Sequence, residues 1–209
     1  MEHTPLPFRR NRPLQGMLAW LLIYWTITAI DPFNRQDWLL ENILVLVYGI
    51  LLIASYGRFA FSNVSYALFT LFITLHLTGA HYTYAEAPPG FWMMEWLGLD
   101  RNHFDRVVHF AYGLLLAYPF YELLRRVVAV PAGWAKFLTI NIILSFSGFF
   151  EILESIIAVL VSPDLGDAYL GTQGDIWDAQ KDMGLALLGA TLTMGITMIR
   201  ESTLHGERP

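Results

Sequence analysis

Long runs of apolar residues, almost free of charge, alternate with short polar segments along the whole chain. Six of them, about 14–30, 38–56, 63–80, 105–124, 134–161 and 176–199, approach the roughly 20 residues that a helix needs to cross a bilayer. The pattern predicts an all-α polytopic membrane protein, a bundle of about six transmembrane helices forming a single integral domain over residues 1–209. The first run follows Arg9, Arg10 and Arg12, as a signal peptide would. It ends in Asp31-Pro32 with no small-x-small site, so it reads as a retained helix.

Composition agrees. The 209 residues are 55% hydrophobic and 15% charged, with a mean hydropathy of +0.44; soluble chains carry about 25% charged residues. A net charge of −5 excludes the basic face of a nucleic-acid binder, and the bilayer is the partner that the pattern requires. Without cysteine there is neither disulfide nor thiolate chemistry.

Positive charge sets an expected orientation. Arg9, Arg10, Arg12, Arg58, Arg125, Arg126, Lys136, Arg200 and Arg208 fall on one side of the predicted spans, against Arg35, Arg101, Arg106 and Lys181 on the other. The positive-inside rule places both termini in the cytoplasm. The opposite side is acidic, with Asp31, Asp37, Glu86, Glu95, Asp100, Asp164 and Asp167. Its longest loop, 81–104, contains Pro88-Pro89-Gly90 and then an aromatic stretch, Phe91 to Trp96, suited to lying in the interface.

Ionisable side chains inside spans are costly and mark function by default. Here they gather near the outer ends of several spans. Asp105 and His109 are four apart and share a helix face. Glu151 and Glu154 are three apart in the fifth span. Asp175, Asp178 and Asp182 open the sixth, on a face that Ala186, Gly189 and Thr193 continue. At 1.5 Å per residue, His109, Glu154 and Asp182 all lie roughly 6–10 Å below the outer helix ends. His76 and His81 close the third span at that level, and of the two His81 is the one expected to face inward, with Thr74 and Thr78. Bland readings stand beside these: Asp105 as a cap pairing with Arg101 or Arg106, Lys181 neutralising Asp178, and Glu122 in an ion pair with Arg125 or Arg126.

Imidazole with several carboxylates suits zinc, manganese or non-haem iron. The expected metal ligands are Asp105, His109, Asp178, Asp182 and His81. Glu154 or Glu151 would be the catalytic base toward a metal-bound water. The same groups also suit a proton or cation pathway. No H-E-x-x-H, G-x-S-x-G, phosphate loop or inverted repeat is present, so the reaction is left open.

Three stretches carry a resemblance: His76 with Gly79-Ala80-His81-Tyr82-Thr83-Tyr84; Arg101-Asn102-His103-Phe104-Asp105-Arg106-Val107-Val108-His109-Phe110; and Gly171-Thr172-Gln173-Gly174-Asp175-Ile176-Trp177-Asp178-Ala179-Gln180-Lys181-Asp182-Met183. With Glu151-x-x-Glu154 they resemble the YjdF-like family of bacterial inner-membrane proteins, over nearly the whole chain. That implies an integral inner-membrane protein and brings no activity with it. The last three spans are also similar to VanZ-like proteins, through Asp105/His109-Phe110, Glu151/Glu154, Asp178/Asp182 and Gly189, with Asp182 where those carry Asn. This likeness implies a role at the cell envelope. The polar residues themselves favour an intramembrane, metal-dependent enzyme acting on a lipid or envelope substrate, with a proton- or cation-linked transporter or channel, or a non-catalytic envelope factor, as the alternatives.

Overall fold

The computed structural model describes residues 7–161 and 163–206, all of whose regular elements are helical. Arg208 and the side chain of Asp167 lie outside what is described. Eight α-helices follow one another: α1 (Arg12–Thr28), α2 (Arg35–Ser55), α3 (Asn63–Tyr82), α4 (Pro88–Leu97), α5 (Phe104–Arg126), α6 (Ala132–Leu160), α7 (Pro163–Leu170) and α8 (Asp178–Gly206). Five of them, α2, α3, α5, α6 and α8, are long and apolar enough to cross a membrane. The sixth expected span, α1, is shorter at 17 residues. It runs parallel to α3 for that helix's full length, through Asn11–Asn63, Trp20–Thr74, Tyr24–Thr78 and Thr28–His81 contacts.

Local chemistry sets the helix ends. Asn34 caps α2 by accepting from the backbone amides of Gln36 and Asp37, and Ser62 caps α3 through Ser65; these short oxygens satisfy N–H groups that a helix start leaves free. Two features differ from the sequence expectation. Residues 163–170 form α7, and α8 begins at Asp178, which leaves Asp175 in the preceding turn. Left-handed backbone at Gly171, Gln173 and Gly174 holds that turn, and a helix cannot pass through it.

The core is the crossing of α5 and α8. A Cβ on Gly113 would fall 1.9 Å from the Ala186 carbonyl oxygen, and one on Gly189 would fall 2.4 Å from that of Phe110. Small residues let the two backbones touch, which is how helices gain packing energy where lipid supplies no hydrophobic drive. Ala186 and Gly189 therefore serve packing, while Thr193 donates to the Leu114 carbonyl at 2.5 Å. From Arg106 to Arg125, charged residues near the ends of α5, the helix rises about 28 Å, close to the ~30 Å hydrocarbon thickness. That length suits Arg106 and Arg125 to the two opposite interfaces of a bilayer.

Candidate metal centre

At the Arg106 end of the bundle the spans turn acids and imidazoles toward one another. Asp105 and His109 come from the first turns of α5, and Asp182 from the second turn of α8. One ligand atom from each of the three lies within 4.8 Å of the others. His109 Nε2 is 3.6 Å from Asp105 Oδ1 and 3.6 Å from Glu151 Oε1 of α6. Glu154 is buried one turn further along α6, with Asp105, Glu151, Glu41 and Asp182 as its charged neighbours. Ligand bonds of about 2.0–2.2 Å set an ion's ligand atoms roughly 3–4.4 Å apart, so a small rotation of side chains would close this set on a cation.

The cluster is short of partners. Asp182 is 2% exposed, yet its Oδ1 has no hydrogen-bond partner, and neither have Glu151 Oε1 and Glu41 Oε2. Buried carboxylate oxygens left alone cost free energy that a fold normally avoids. Sequence reading passed over Glu41 and treated Asp37 only as part of an acidic face. Both are almost fully buried in the first turns of α2. A signal was available: the four-residue spacing of Asp37 and Glu41 repeats that of Asp105/His109 and Asp178/Asp182, each at the same end of a span.

His81 does not join them. Its Nδ1 bonds the Thr28 carbonyl at 2.9 Å, on the side of α3 that faces α1. His76 points inward instead. The Tyr84 hydroxyl donates to its Nδ1 at 2.6 Å, and its Nε2–H reaches the Glu41 carbonyl at 3.2 Å. Burial holds the Tyr84 hydroxyl well above the ordinary phenol range, with the charge of Glu41 adding to the effect, so it remains a donor. The choice between two histidines five apart depended on how α3 is rotated in the bundle, which its sequence does not state.

Asp178 also takes a different place. Arg101 Nη1 meets its Oδ1 at 2.9 Å and Arg106 Nη2 meets the same oxygen at 3.1 Å. Asp175 binds Arg106 and Lys181, both at 2.5 Å, so Lys181 pairs with Asp175 and not with Asp178. The hydrogen bond from Lys181, then that from the Trp177 amide, hold the Asp175 carboxyl well below its usual range. Between these ion pairs, Gln173 exchanges two hydrogen bonds with the Asn102 backbone, at 3.1 and 2.8 Å. The Asn102 side chain bridges the Ala87 carbonyl and the Phe104 amide. Gly90 has to be glycine, since a Cβ there would land 1.6 Å from Asn102 Oδ1. The segments before α5 and before α8 thus form one charged latch, placed about a helical turn from the cluster.

This combination, crossing helices of one bundle with unsatisfied acids and imidazole beneath a latched surface, defines a polytopic helical membrane protein with an intramembrane polar centre. The chain belongs to the family described as predicted membrane protein (DUF2238), whose pattern covers residues 13–203. It is similar to the inner membrane protein YjdF of Escherichia coli (strain K12), with 38% identity over 178 residues, 85% of this chain and 83% of the relative. No solved structure matches it.

Proposed function

We propose that this inner-membrane protein holds a divalent cation, zinc, manganese or iron, between Asp105, His109 and Asp182, and uses it for intramembrane hydrolysis of a lipid or cell-envelope substrate. The observation that carries this reading is the triad of ligand atoms within 4.8 Å beside an Asp182 oxygen that is buried and unpartnered. A cation compensates carboxylates that otherwise repel one another in a low-dielectric region. Glu151, 3.6 Å from the imidazole, and the buried Glu154 behind it are the carboxyls that would serve as general base. A bound cation would supply Lewis acidity toward water, and one of these carboxyls would take the water's proton and hand it to the leaving oxygen of an ester or phosphate. Asp178 and His81, occupied by Arg101, Arg106 and the Thr28 carbonyl, take structural roles in this reading.

Elemental analysis of protein purified without chelator and re-exposed to zinc, manganese and iron tests the site. One equivalent of metal is expected, falling at least tenfold in His109→Ala with helix content unchanged. Absence of stoichiometric binding for all three metals sinks the proposal and leaves a proton pathway through Glu41, Glu151 and Glu154. The latched end faces away from the cytoplasm by its charge distribution. Reporter fusions after Arg58 and Arg126 are expected to read cytoplasmic, and those near Pro89 and Asp167 extracytoplasmic; the reverse at two of the four sites overturns the orientation.

A further inference from the structure

The two most exposed large apolar side chains among the described residues, Trp96 at 86% and Ile176 at 85%, stand on the two segments that form the charged latch. Trp92 and Leu97 are exposed beside Trp96 at the end of α4, just before Arg101, and Trp177 is exposed between Asp175 and Asp178. The sequence pattern assigns Ile176 and Trp177 to the last span; the structure puts them in the turn ahead of α8. Each arm of the latch therefore turns polar side chains inward and an apolar prong outward. On the first arm, Arg101 and Arg106 reach Asp178, while α4 seats Gly90 against Asn102. On the second, Asp175 accepts from the Trp177 amide at 3.0 Å and also takes the Arg106 guanidinium. Moving either prong moves residues of the latch.

The second prong has the level and the face of a lipid contact. The Trp177 carbonyl accepts from the Lys181 amide at 3.0 Å, so Trp177 caps α8 above that helix's exposed stripe of Gly184, Leu188 and Leu192. Lys181, on the same face, sends its ammonium back up to Asp175, as a lysine does at the edge of a bilayer. Asp178, the next residue, pairs with Arg106, whose place on α5 suits the membrane interface. That is the depth at which tryptophan is enriched.

We propose that both prongs, Trp92, Trp96 and Leu97 on one arm and Ile176 and Trp177 on the other, are seated in the headgroup–acyl boundary of the adjoining leaflet, so that the bilayer itself holds the latch shut over the polar centre. The partner is a lipid surface, continuous with the lipid-facing stripe of α8. Lifting a prong out of lipid loosens the pairs of Arg101 and Arg106 with Asp175 and Asp178 and admits water to the centre. The proposal goes beyond the metal-site reading and does not draw on it.

The chain has no cysteine, so single nitroxides can be attached at Trp96→Cys, Ile176→Cys, Leu188→Cys and Asp100→Cys of the full chain in phosphatidylethanolamine–phosphatidylglycerol vesicles. Collision with oxygen, which concentrates in lipid, is compared with collision with a water-soluble nickel chelate. The oxygen-to-nickel ratio at positions 96 and 176 is expected to exceed that at the exposed Asp100 by at least about fivefold, as at Leu188. A ratio equal to that at Asp100 overturns the proposal in favour of water, and exclusion of both reagents overturns it in favour of a protein partner. The hold on the latch is read as the distance between nitroxides at Asp100 and Ile176 at neutral pH. Trp177 is 59% exposed, so replacing it opens no core cavity. The distance is expected to widen in Trp177→Ser and to keep its wild-type value in Trp177→Phe, which retains an apolar ring. Equal spacing in all three proteins overturns the hold, and so does widening in both variants, which would make the tryptophan a matter of local packing.

Discussion

Helix α5 buries ionisable groups near both of its ends, and the two ends treat them in opposite ways. Near the Arg125 end, Glu122 accepts from the Ser62 amide and the Ser62 hydroxyl, each at 2.8 Å, and from Ser65 and Arg126 as well. Every lone pair of that carboxylate has work to do in joining α5 to the cap of α3. At the Arg106 end, Asp182, Glu151 and Glu41 each retain a buried oxygen with no hydrogen-bond partner, although imidazoles stand 3.6 Å from that of Glu151 and 3.8 Å from that of Glu41. A carboxylate can thus be buried in this bundle at little cost, and the sequence has the serines and arginine to do it. Asp37 adds a further such oxygen at that end, and buried acids short of hydrogen bonds are what the proposed cation site requires, stability being given up where a ligand is to bind.

The largest test of this contrast is Glu122→Ala. It strands the Ser62 amide, two hydroxyls and a guanidinium, and is expected to lower unfolding free energy by about 3 kcal/mol, the low end for a broken buried pair because Arg126 is partly exposed. Denaturation in mixed micelles measures it, with metal content unchanged. Asp182→Asn is expected to go the other way. Removing a buried carboxylate that has an oxygen without a hydrogen bond leaves stability unchanged or raises it by up to about 1 kcal/mol, while bound metal falls. A loss as large as that of Glu122→Ala would show that the two ends are built alike and that the centre is structural.

The smallest effect concerns the latch. The Asp175 carboxyl is held below the ordinary value of 3.8 chiefly by Lys181. A depressed folded-state pKa contributes stability that is present above about pH 4 and lost as pH falls through the folded value. Spin labels at the exposed positions Asp100 and Ile176 are expected to move apart only below about pH 4. In Asp175→Asn the wider spacing is expected already at neutral pH. A distance that opens between pH 5 and 7 would assign the latch to another group.

Much of the candidate cluster was legible, for a reason that applies to any membrane helix. Charge inside an apolar span is so costly that each ionisable residue advertises itself, so Asp105, His109, Glu151, Glu154 and Asp182 could be read from the sequence. Glu41 was harder because it sits within the first two turns of its helix, where an acid also suits the helix dipole and solvent. The motif Arg101–Arg106 was legible as a motif, but its work in pairing with Asp175 and Asp178 was not.

By itself the sequence determined that this chain is a helical membrane protein and at which end its polar residues gather, because spacing along a helix fixes depth through the 1.5 Å rise. Depth is a local quantity. Azimuth is not: the rotation of each helix about its own axis follows from contacts such as Gly113 on Ala186 and Gly189 on Phe110, which join residues more than seventy positions apart. Only the tertiary structure could therefore decide that His76 faces inward in place of His81, that Asp178 serves two arginines, and that Glu151 stands beside His109. Those outcomes depend on which helix lies opposite, and a single helix's pattern of apolar positions carries no record of its neighbour.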